Sequence, residues 1–447
     1  MAMEKPYLVK TIKGPIDWRV EVPGSKSMTN RALLMAALTD GRVELSRVLF
    51  SDDSRHFLSC LMALGFEVEI EEEKQHVIVM GQGGEIPKKE AEIYVGSAGT
   101  AARFLTAMLG FSDGVYTIQA SEQMKRRPMD TLFALLEDAG ARITYLEKEG
   151  HLPVRIRGCK LRTKAQKEQE SGQNRMPIYL ALDIEKSTQF LSALLLVSPM
   201  VKEGMQLRIT GKKKDGAYVR ITRAMLEDSG VTVEFDGEEY HTPKNAAYQK
   251  HSYWIEPDVS AACYFYAAAA ILGGKALVKD VFWENSQGDL KFLRVLEQMG
   301  ATVTEEKDGI AVVGPSDGRL QGITVNMNDF SDQALTLAAI APFAAEKVRM
   351  EGIAHIRLQE CDRVSAMAQE LFGLGILCAE EKAAITIYPG IPRGGCVKTY
   401  DDHRVAMAFS LIGLRVEGIR IENPSCCKKT FEGYFELLSR LTGKEKE

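Results

Sequence analysis

The chain of 447 residues lacks the features that mark several common classes of protein. Its formal net charge is −5, so it has no overall excess of positive charge with which to bind nucleic acid. None of its eight cysteines forms a Cys-x-x-Cys pair, and no histidine, cysteine and acidic residues have the spacing of metal ligands. We therefore expect reduced thiols, a cytoplasmic location, no metal and no nucleic-acid partner.

Long apolar stretches and several cofactor motifs are also missing. The longest apolar run, Ala261–Leu272, has 12 residues, which is typical of a buried helix and too short to cross a bilayer. No apolar run follows the segment Met1–Lys10, so we expect no signal peptide, transit peptide or membrane partner. The chain has no Gly-x-Ser-x-Gly elbow and no dinucleotide fingerprint, and Lys26 lacks the glycines of a Walker A loop. These absences argue against a serine hydrolase, a dinucleotide-dependent enzyme and an ATPase.

The sequence repeats one pairing of a helix with a strand. An amphipathic segment ends in glycine five times, at Gly65, Gly140, Gly230, Gly300 and Gly375. Each glycine is expected to end its helix in the left-handed conformation. The strands are predicted at Phe66–Ile70, Ala141–Tyr145, Val231–Phe235, Ala301–Thr304 and Ile376–Leu377. With Leu437–Gly443 as a sixth helix, the pattern predicts an α/β protein of six α/β units, grouped in threes into two domains.

Two polar segments interrupt this pattern. Lys160–Asn174 is predicted to be a surface loop, and His241–His251 is a second loop that precedes a new apolar helix. We place the domain boundary after this second loop. Residues 23–255 then form one domain, and residues 1–22 with 256–447 form the other. A single linker elsewhere is not ruled out by composition.

Basic and hydroxyl residues cluster at the expected N termini of helices. The segment Pro23–Arg31 is a turn that opens a helix over Arg31–Leu38. Free backbone N–H groups and the helix dipole there act with the charges of Lys26 and Arg31, which is typical of a site for a polyanion. An ordinary capped helix is an equally good interpretation of this motif alone. Comparable motifs are Gly96–Arg103, Lys125–Asp130, Ser187–Gln189, Arg357–Arg363, Asp401–Arg404 and Lys428–Phe431.

Seven such motifs favour a ligand with several phosphate or carboxylate groups, because arginine and lysine are the usual partners of such anions. Candidate carboxylates for proton transfer are fewer. Asp332 lies just before an apolar helix, and composition leaves catalysis and an N-cap equally open. Glu360 lies between Arg357 and Arg363, so its alternative interpretation is a structural ion pair.

In their order along the chain, these motifs resemble the 5-enolpyruvylshikimate-3-phosphate synthase family. The matching segments are Pro23–Arg31, Ala98–Arg103, Arg127–Pro128, Ser187–Gln189, Asp332, Glu360–Arg363, Asp402–Arg404 and Lys429–Phe431. The resemblance implies the two-domain enolpyruvyl transferase fold, with three α/β units about a pseudo-threefold axis in each domain. It also implies transfer of the enolpyruvyl group of phosphoenolpyruvate to the 5-hydroxyl of shikimate 3-phosphate, with release of phosphate. This is a step of aromatic amino acid biosynthesis and the target of glyphosate, and it needs no metal or cofactor.

The resemblance further implies a role for each matching residue. The expected contacts to shikimate 3-phosphate are Lys26, Ser27, Arg31, Ser187, Thr188, Gln189, Asp332 and Gln359. The expected contacts to phosphoenolpyruvate are Lys26, Gly99, Arg127, Gln189, Arg363, Arg404 and Lys429. Asp332 is expected to be the base for the 5-hydroxyl, Glu360 the second catalytic carboxylate and Lys26 a proton carrier. The expected partners are these small molecules alone, bound by a monomer.

Four positions depart from the family's usual pattern. Gln359 stands where lysine is common, His355 and Ser97 stand where asparagine is common, and Asp215 stands where a phosphate-binding serine is frequent. These changes leave a variant substrate or a reduced activity open. One alternative within the fold is a UDP-N-acetylglucosamine enolpyruvyl transferase, which relies on a cysteine that the segment Ala120–Arg127 lacks. The other is a non-catalytic phosphosugar-binding paralogue, which the presence of Asp332, Glu360 and Lys26 disfavours.

Overall fold

The structure divides the chain into two compact units. The computed structural model describes residues 5–160, 176–185 and 187–443, so the predicted loop at Lys160–Asn174 lies outside the described residues from position 161 onward. We call Gly24–Ile255 the central unit, and Met1–Pro23 with Glu256–Glu447 the discontinuous unit.

Both units contain helices whose residues are mostly buried. The helices of the central unit are α1 (Lys26–Leu38), α2 (Asp52–Ala63), α3 (Gly99–Gly110), α4 (Glu122–Lys125), α5 (Asp130–Asp138), α6 (Gln189–Val197) and α7 (Ala217–Asp228). Those of the discontinuous unit are α8 (Val259–Leu272), α9 (Lys291–Gln298), α10 (Ala334–Ile340), α11 (Arg363–Gly373), α12 (His403–Arg415) and α13 (Tyr434–Gly443). Helices α1, α3 and α6 contact one another in one unit, as α8, α10 and α12 do in the other. Their apolar sequences follow from this burial on several sides.

Among the described residues, each unit has three small sheets. The strands of the central unit are β3 (Asp40–Ser46), β4 (Glu67–Glu71), β5 (His76–Gln82), β6 (Glu90–Tyr94), β7 (Val115–Gln119), β8 (Arg142–Tyr145), β9 (Val154–Arg157), β10 (Ile178–Leu182), β11 (Met205–Ile209), β12 (Glu234–Phe235), β13 (Glu239–Thr242) and β14 (Ser252–Trp254). Those of the discontinuous unit are β1 (Tyr7–Leu8), β2 (Ile16–Val20), β15 (Gly274–Lys279), β16 (Thr302–Glu306), β17 (Gly309–Gly314), β18 (Ile323–Asn326), β19 (Val348–Glu351), β20 (Cys378–Glu380), β21 (Ala384–Ile387), β22 (Cys396–Val397) and β23 (Arg420–Ile421).

Five of these sheets share one topology. Their strand orders are β14-β3-β5-β4, β6-β7-β9-β8, β10-β11-β13-β12, β2-β15-β17-β16 and β18-β19-β21-β20. In each, the first pair is parallel and the next two pairs are antiparallel. The three-stranded sheet β1-β23-β22 differs, since it has one antiparallel and one parallel pair. The fold class is therefore mixed α/β with a recurring sheet, whereas the grouping into six units stays a prediction.

The helix-ending glycines adopt the backbone conformation that the sequence predicts. Gly65, Gly140, Gly230, Gly300 and Gly375 have φ angles between 84° and 104°. After each glycine, the next residue donates its backbone N–H to a carbonyl five residues earlier, as Val231 does to Leu226 and Ile376 to Leu371. This is the Schellman arrangement, which satisfies the last carbonyls of the helix.

The same hydrogen bond explains part of the error in the predicted strand boundaries. The residue after the glycine gives its N–H to the helix, so it is not available to a sheet ladder. Strands β4, β8 and β16 consequently begin one residue later than predicted, at Glu67, Arg142 and Thr302. Strands β20 and β12 begin two and three residues later than predicted, at Cys378 and Glu234, which this hydrogen bond alone does not explain. Gly443 lies within α13. Helix α1 begins at Lys26, five residues before its predicted start, whereas the predicted buried helix at Ala261–Leu272 is confirmed as part of α8. Within the described residues, no helix is long and apolar enough to cross a membrane.

Candidate functional site

Two arginines of the discontinuous unit lie at the N termini of helices. Arg363 is the first residue of α11, and its neighbour Asp362 caps that helix by accepting a hydrogen bond from the backbone N–H of Ser365 at 3.0 Å. Arg404 is the second residue of α12, where Asp402 accepts from the N–H of Arg404 at 2.9 Å. An aspartate cap is therefore present at the start of both helices, and it fixes the starting direction of each arginine side chain.

The guanidinium group of Arg363 is buried among acceptors. Its Nε donates to Asp402 Oδ2 at 2.7 Å, its Nη1 to Asp332 Oδ1 at 3.0 Å and its Nη2 to Glu360 Oε2 at 2.9 Å. The amide oxygen of Gln359 also accepts from Nη1. Burial by itself lowers the pKa of Arg363, but the three carboxylates together raise that pKa above its ordinary value. Arg363 therefore stays charged and rigidly oriented.

Asp332 is held by both arginines. Its Oδ1 accepts from Arg363 as above, and its Oδ2 accepts from Arg404 Nη2 at 2.9 Å. The alternative interpretation of Asp332 as a helix cap is wrong, because it lies in the 3₁₀ turn Ser331–Gln333 and α10 is preceded by Gln333. This carboxylate bridges Arg363 and Arg404, the two cations that the family resemblance assigns to the binding of phosphoenolpyruvate.

Glu360 joins the cluster from the segment before α11. Besides accepting from Arg363, it places Oε1 3.4 Å from Lys429 Nζ, and both side chains are about nine-tenths buried. The ion pair expected for Glu360 is thus present, with Arg363 and Lys429 as its cations. The three cations Arg363, Arg404 and Lys429 balance the three carboxylates Asp332, Glu360 and Asp402 in this cluster.

Asp402 belongs to the Asp401–Arg404 motif, and the sequence motif predicts no separate role for this residue. Its carboxylate caps α12 and also binds Arg363 through both oxygens, at 2.7 and 3.2 Å. The Asp401–Arg404 motif could not show this contact, because Arg363 lies 39 positions from Asp402 in the chain.

Two of the unusual positions lie next to this cluster. Gln359 contacts Arg363 through its amide oxygen, so this residue acts as an acceptor here and not as a cation. His355 Nε2 lies 2.8 Å from Ser331 Oγ, and Ser331 directly precedes Asp332. Both substitutions are therefore accommodated by hydrogen bonds.

In the central unit, Arg31 is buried among neutral partners. Its Nε donates to Thr222 Oγ1 at 2.8 Å, its Nη1 to the carbonyl oxygen of Ser27 at 2.8 Å and its Nη2 to that of Tyr218 at 3.0 Å. The ring of Phe104 lies 5.3 Å from the guanidinium carbon. Burial lowers the pKa of Arg31 to about 10, which Tyr218 opposes only slightly. A bound anion would stabilise such a charge.

Lys26 lies in the first turn of α1, close to an acid that sequence reasoning missed. Its Nζ is 3.5 Å from Asp53 Oδ2, in the first turn of α2. Asp53 is buried, whereas the preceding Asp52 is exposed. The pattern Ser51–Ser54 shows a helix cap, and only the burial of the second aspartate marks it as a partner for a cation.

Gly99 allows two arginines to approach the backbone closely. A Cβ atom at this first position of α3 would lie 2.6 Å from Arg127 Nη1 and 3.0 Å from Arg103 Nη1. Arg103 Nη1 also donates to the carbonyl oxygen of Gly99 at 3.0 Å. The structure thus brings Arg127 of one sequence motif against Gly99 and Arg103 of another, and a Cβ at residue 99 would force the guanidinium of Arg127 to shift.

The Ser187–Gln189 motif lies at the start of α6, whose first residue is Gln189. Ser187 Oγ accepts from the backbone N–H of Gln189 at 3.2 Å, and Thr188 makes no capping bond through its side chain. The buried Oε1 of Gln189 has no hydrogen-bond partner among the described residues. Asp215 accepts from Arg220 Nη1 at 3.0 Å and from the Tyr240 hydroxyl at 3.2 Å, so its charge is compensated by Arg220. Among the residues that the structure describes, no group of three or more His, Cys, Asp or Glu side chains could hold a metal ion.

Comparisons with known proteins agree on one family. A family model described as EPSP synthase (3-phosphoshikimate 1-carboxyvinyltransferase) matches residues 10–438. A 3-phosphoshikimate 1-carboxyvinyltransferase of Trichormus variabilis is 39% identical over 97% of this chain and 99% of its own length, and one of Sulfurovum is 38% identical over 96% and 97%. A solved EPSP synthase of Acinetobacter baumannii has a TM-score of 0.78 at 25% identity, covering 98% of both chains. The enolpyruvyl transferase NikO of Streptomyces tendae shares the fold, with a TM-score of 0.74 at 16% identity over 98% of this chain and 97% of its own.

Proposed function

The chain belongs to the EPSP synthase family, and from this premise we propose that it transfers the enolpyruvyl group of phosphoenolpyruvate to the 5-hydroxyl of shikimate 3-phosphate. The hydroxyl oxygen bonds to C2 of phosphoenolpyruvate, while a proton adds to C3. The tetrahedral adduct then loses phosphate from C2 and a proton from C3, so that the vinyl group is restored on the product. No metal or redox partner is needed to balance these steps.

The observation that carries this proposal is the pair of guanidinium groups on Asp332. Arg363 and Arg404 each donate to one of its oxygens, at 3.0 and 2.9 Å. A carboxylate held in this way has both oxygens occupied by guanidinium donors. An incoming phosphate or carboxylate group that takes over those donors would free an oxygen of Asp332 to accept the proton of the 5-hydroxyl. Binding of phosphoenolpyruvate would thereby prepare the base for the 5-hydroxyl.

The neighbouring groups suit the second half of the reaction. We assign Arg363, Arg404 and Lys429 to the anionic groups of phosphoenolpyruvate, since fixed cations stabilise the charge that gathers on the adduct. Glu360, held between Arg363 and Lys429, is assigned to protonation and deprotonation of the methylene carbon. Gln359 is assigned to shikimate 3-phosphate on the resemblance alone.

Residues of the central unit are assigned mainly to shikimate 3-phosphate. The buried charge of Arg31, bound only by neutral oxygens among its hydrogen-bond partners, supports an anion there. Ser27 and the Ser187–Gln189 motif supply hydroxyl and amide groups, and Gln189 Oε1 still lacks a donor among the described residues. Gly99, Arg127 and Lys26 are assigned to phosphoenolpyruvate, with Lys26 also contacting shikimate 3-phosphate and carrying a proton. These roles are predictions from the resemblance.

A phosphate-release assay tests the proposal. With phosphoenolpyruvate and shikimate 3-phosphate, the chain should release phosphate and form the enolpyruvyl ether, which mass spectrometry identifies. With UDP-N-acetylglucosamine in place of shikimate 3-phosphate, no phosphate should appear. Activity with the nucleotide sugar alone would favour the other enolpyruvyl transferase, and binding of shikimate 3-phosphate without turnover would favour a non-catalytic paralogue.

We also propose that the chain acts in the cytoplasm as a monomer without a nucleic-acid partner. The eight cysteines form no disulfide among the described residues, which supports the reducing environment of the cytoplasm. The net charge of −5 supports the absence of a nucleic-acid partner. Light scattering coupled to size exclusion should give a mass near 49.5 kDa. A mass of twice this value would show a dimer.

A further inference from the structure

A buried carboxylate without an assigned role lies behind the Arg404–Asp332 ion pair in the discontinuous unit. Asp289 is 7% exposed and lies in the turn Gly288–Leu290 before α9. Its Oδ2 accepts from Ser260 Oγ at 2.6 Å, and its Oδ1 lies 3.3 Å from the donating Nε2 of Gln333. Both oxygens of Asp289 are therefore bound to neutral donors, which is an unusual surrounding for a buried acid.

These neutral donors connect Asp289 to the ion pair by two routes. Ser260 Oγ lies 3.5 Å from Arg404 Nη2, the same nitrogen that donates to Asp332. Gln333 follows Asp332 directly in the chain, so its contact with Asp289 ties down the turn that carries Asp332.

The direction of the hydrogen bond from Ser260 to Asp289 gives Asp289 a function that the Arg404–Asp332 ion pair alone does not have. An ionised carboxylate accepts only, so the hydroxyl proton of Ser260 is committed to Asp289. Ser260 can then offer only its lone pairs to Arg404. If Asp289 were absent, the hydroxyl group could rotate and point its proton at the guanidinium, which would repel it.

Electrostatics couple the same groups. Burial raises the pKa of Asp289, as does the charge of Asp332, whereas Arg404 and the Ser260 hydrogen bond oppose this rise. The charge on Asp289 thus depends on Arg404 being near, and Arg404 in turn keeps a second anionic neighbour besides Asp332.

We propose that Asp289 is a positioning residue for Arg404 and acts through the hydroxyl group of Ser260. When a substrate anion displaces Asp332 from Arg404, Ser260, held by Asp289, remains among the partners that keep the guanidinium in place, together with Tyr264. This inference rests on the proposed function, since it gives Arg404 a substrate to hold. Asp289 itself is not assigned a contact with substrate.

The test compares three changes around α8. Ser260→Ala removes the link between Asp289 and Arg404, and alanine suits the first turn of a helix. Cys263→Ala is the matched control, because Cys263 lies one turn further along α8 and contacts the main-chain oxygen of Asp289, not its carboxylate. Ser260→Thr restores a hydroxyl group. Thermal unfolding of each variant establishes that it is folded.

We expect Ser260→Ala to raise the KM for phosphoenolpyruvate about tenfold, the loss that follows from one misplaced hydrogen bond to a charged group. The KM for shikimate 3-phosphate should stay within about twofold of the wild-type value. Cys263→Ala should leave both values unchanged, and Ser260→Thr should recover most of the loss. Asp289→Asn should act in the direction of Ser260→Ala, since its amino group would face one of the two donors that the carboxylate oxygens now accept from.

Equal increases of both KM values, or the same increase in Cys263→Ala, would overturn the proposal, because they would show general loosening of the core. An unchanged KM for phosphoenolpyruvate in folded Ser260→Ala would overturn it too. Absence of turnover by the wild-type chain refutes the proposed function instead. Calorimetric binding of phosphoenolpyruvate, which needs no turnover, then compares Ser260→Ala with Cys263→Ala, and equal affinities would overturn the positioning role.

Discussion

Replacing Asp332 by asparagine should separate catalysis from binding in an unusual direction. The substitution keeps the size of the side chain and removes its charge from between Arg363 and Arg404. An asparagine can accept from one guanidinium through its oxygen, but its amino group then faces donors of the other. The cluster would change from balanced charge to one excess cation.

The structure sets the size of the two effects. One hydrogen bond to a charged group is lost, and such bonds contribute about 1.5–3 kcal/mol, so the folded unit should lose stability of this order. The affinity for substrate anions should rise, however, because these anions no longer have to displace a carboxylate from the guanidinium groups. The KM for phosphoenolpyruvate should therefore stay the same or fall, by up to about tenfold for each 1.4 kcal/mol of competition removed. Turnover should fall by about 10²–10⁴-fold, the usual contribution of a general base.

Steady-state kinetics with phosphate detection measure both quantities, and calorimetry with shikimate 3-phosphate measures binding of the other substrate. Asp329→Asn is the matched control, because Asp329 lies three residues upstream, is partly exposed and pairs with Lys291. That change should leave turnover and KM nearly unaltered. Near-normal turnover in Asp332→Asn would refute the assignment of the base, and a large rise in the KM for phosphoenolpyruvate would refute the idea that Asp332 competes with substrate.

The other predictions concern three positions. Gly99→Ala places a Cβ against the guanidinium of Arg127, so the KM for phosphoenolpyruvate should rise. The inhibitory concentration of glyphosate should rise by a larger factor. Unchanged inhibition by glyphosate would show that Gly99 does not line the phosphoenolpyruvate site. Gln359→Lys removes an acceptor of Arg363 and adds a cation, so the KM for phosphoenolpyruvate should fall. Gln359→Glu makes the opposite change of charge and serves as the control. A rise of this KM in the lysine variant would show that Gln359 holds Arg363 in its binding geometry. Burial raises the pKa of Asp289, so the folded chain keeps a proton there that the unfolded chain loses, and the contribution of Asp289 to wild-type stability should fall as pH rises from about 4 through the raised value. Asp289→Asn lacks this titration, so the stability of the variant relative to wild type should improve over that window in chemical denaturation, and a pH-independent difference would contradict the assignment.

The local pattern was sufficient for the elements that depend on backbone chemistry. Glycine after an amphipathic run predicts a left-handed helix end, and Gly65 and Gly375 have that conformation. The exact start of the next strand was not predictable in this way. It depends on a hydrogen bond that takes one N–H away from the sheet, as at Ile376.

The sequence by itself determined the family and the residue types of the candidate site. Ordered motifs such as Pro23–Arg31 and Glu360–Arg363 carry that information, because each combines charges and turn residues within a few positions. The motifs also left Asp332 open between a cap and a catalytic base, since a single acid before a helix suits both.

Tertiary structure decided which side chains share a hydrogen bond. Asp332 lies 72 positions before Arg404, and Ser260 lies 144 positions before it, so no local pattern reports that they meet. Burial is decided in the same way: Asp52 and Asp53 are adjacent and identical in type, yet only Asp53 is enclosed and lies near Lys26. Electrostatic behaviour depends on distance and desolvation, and both are set by packing between elements that are remote in the chain.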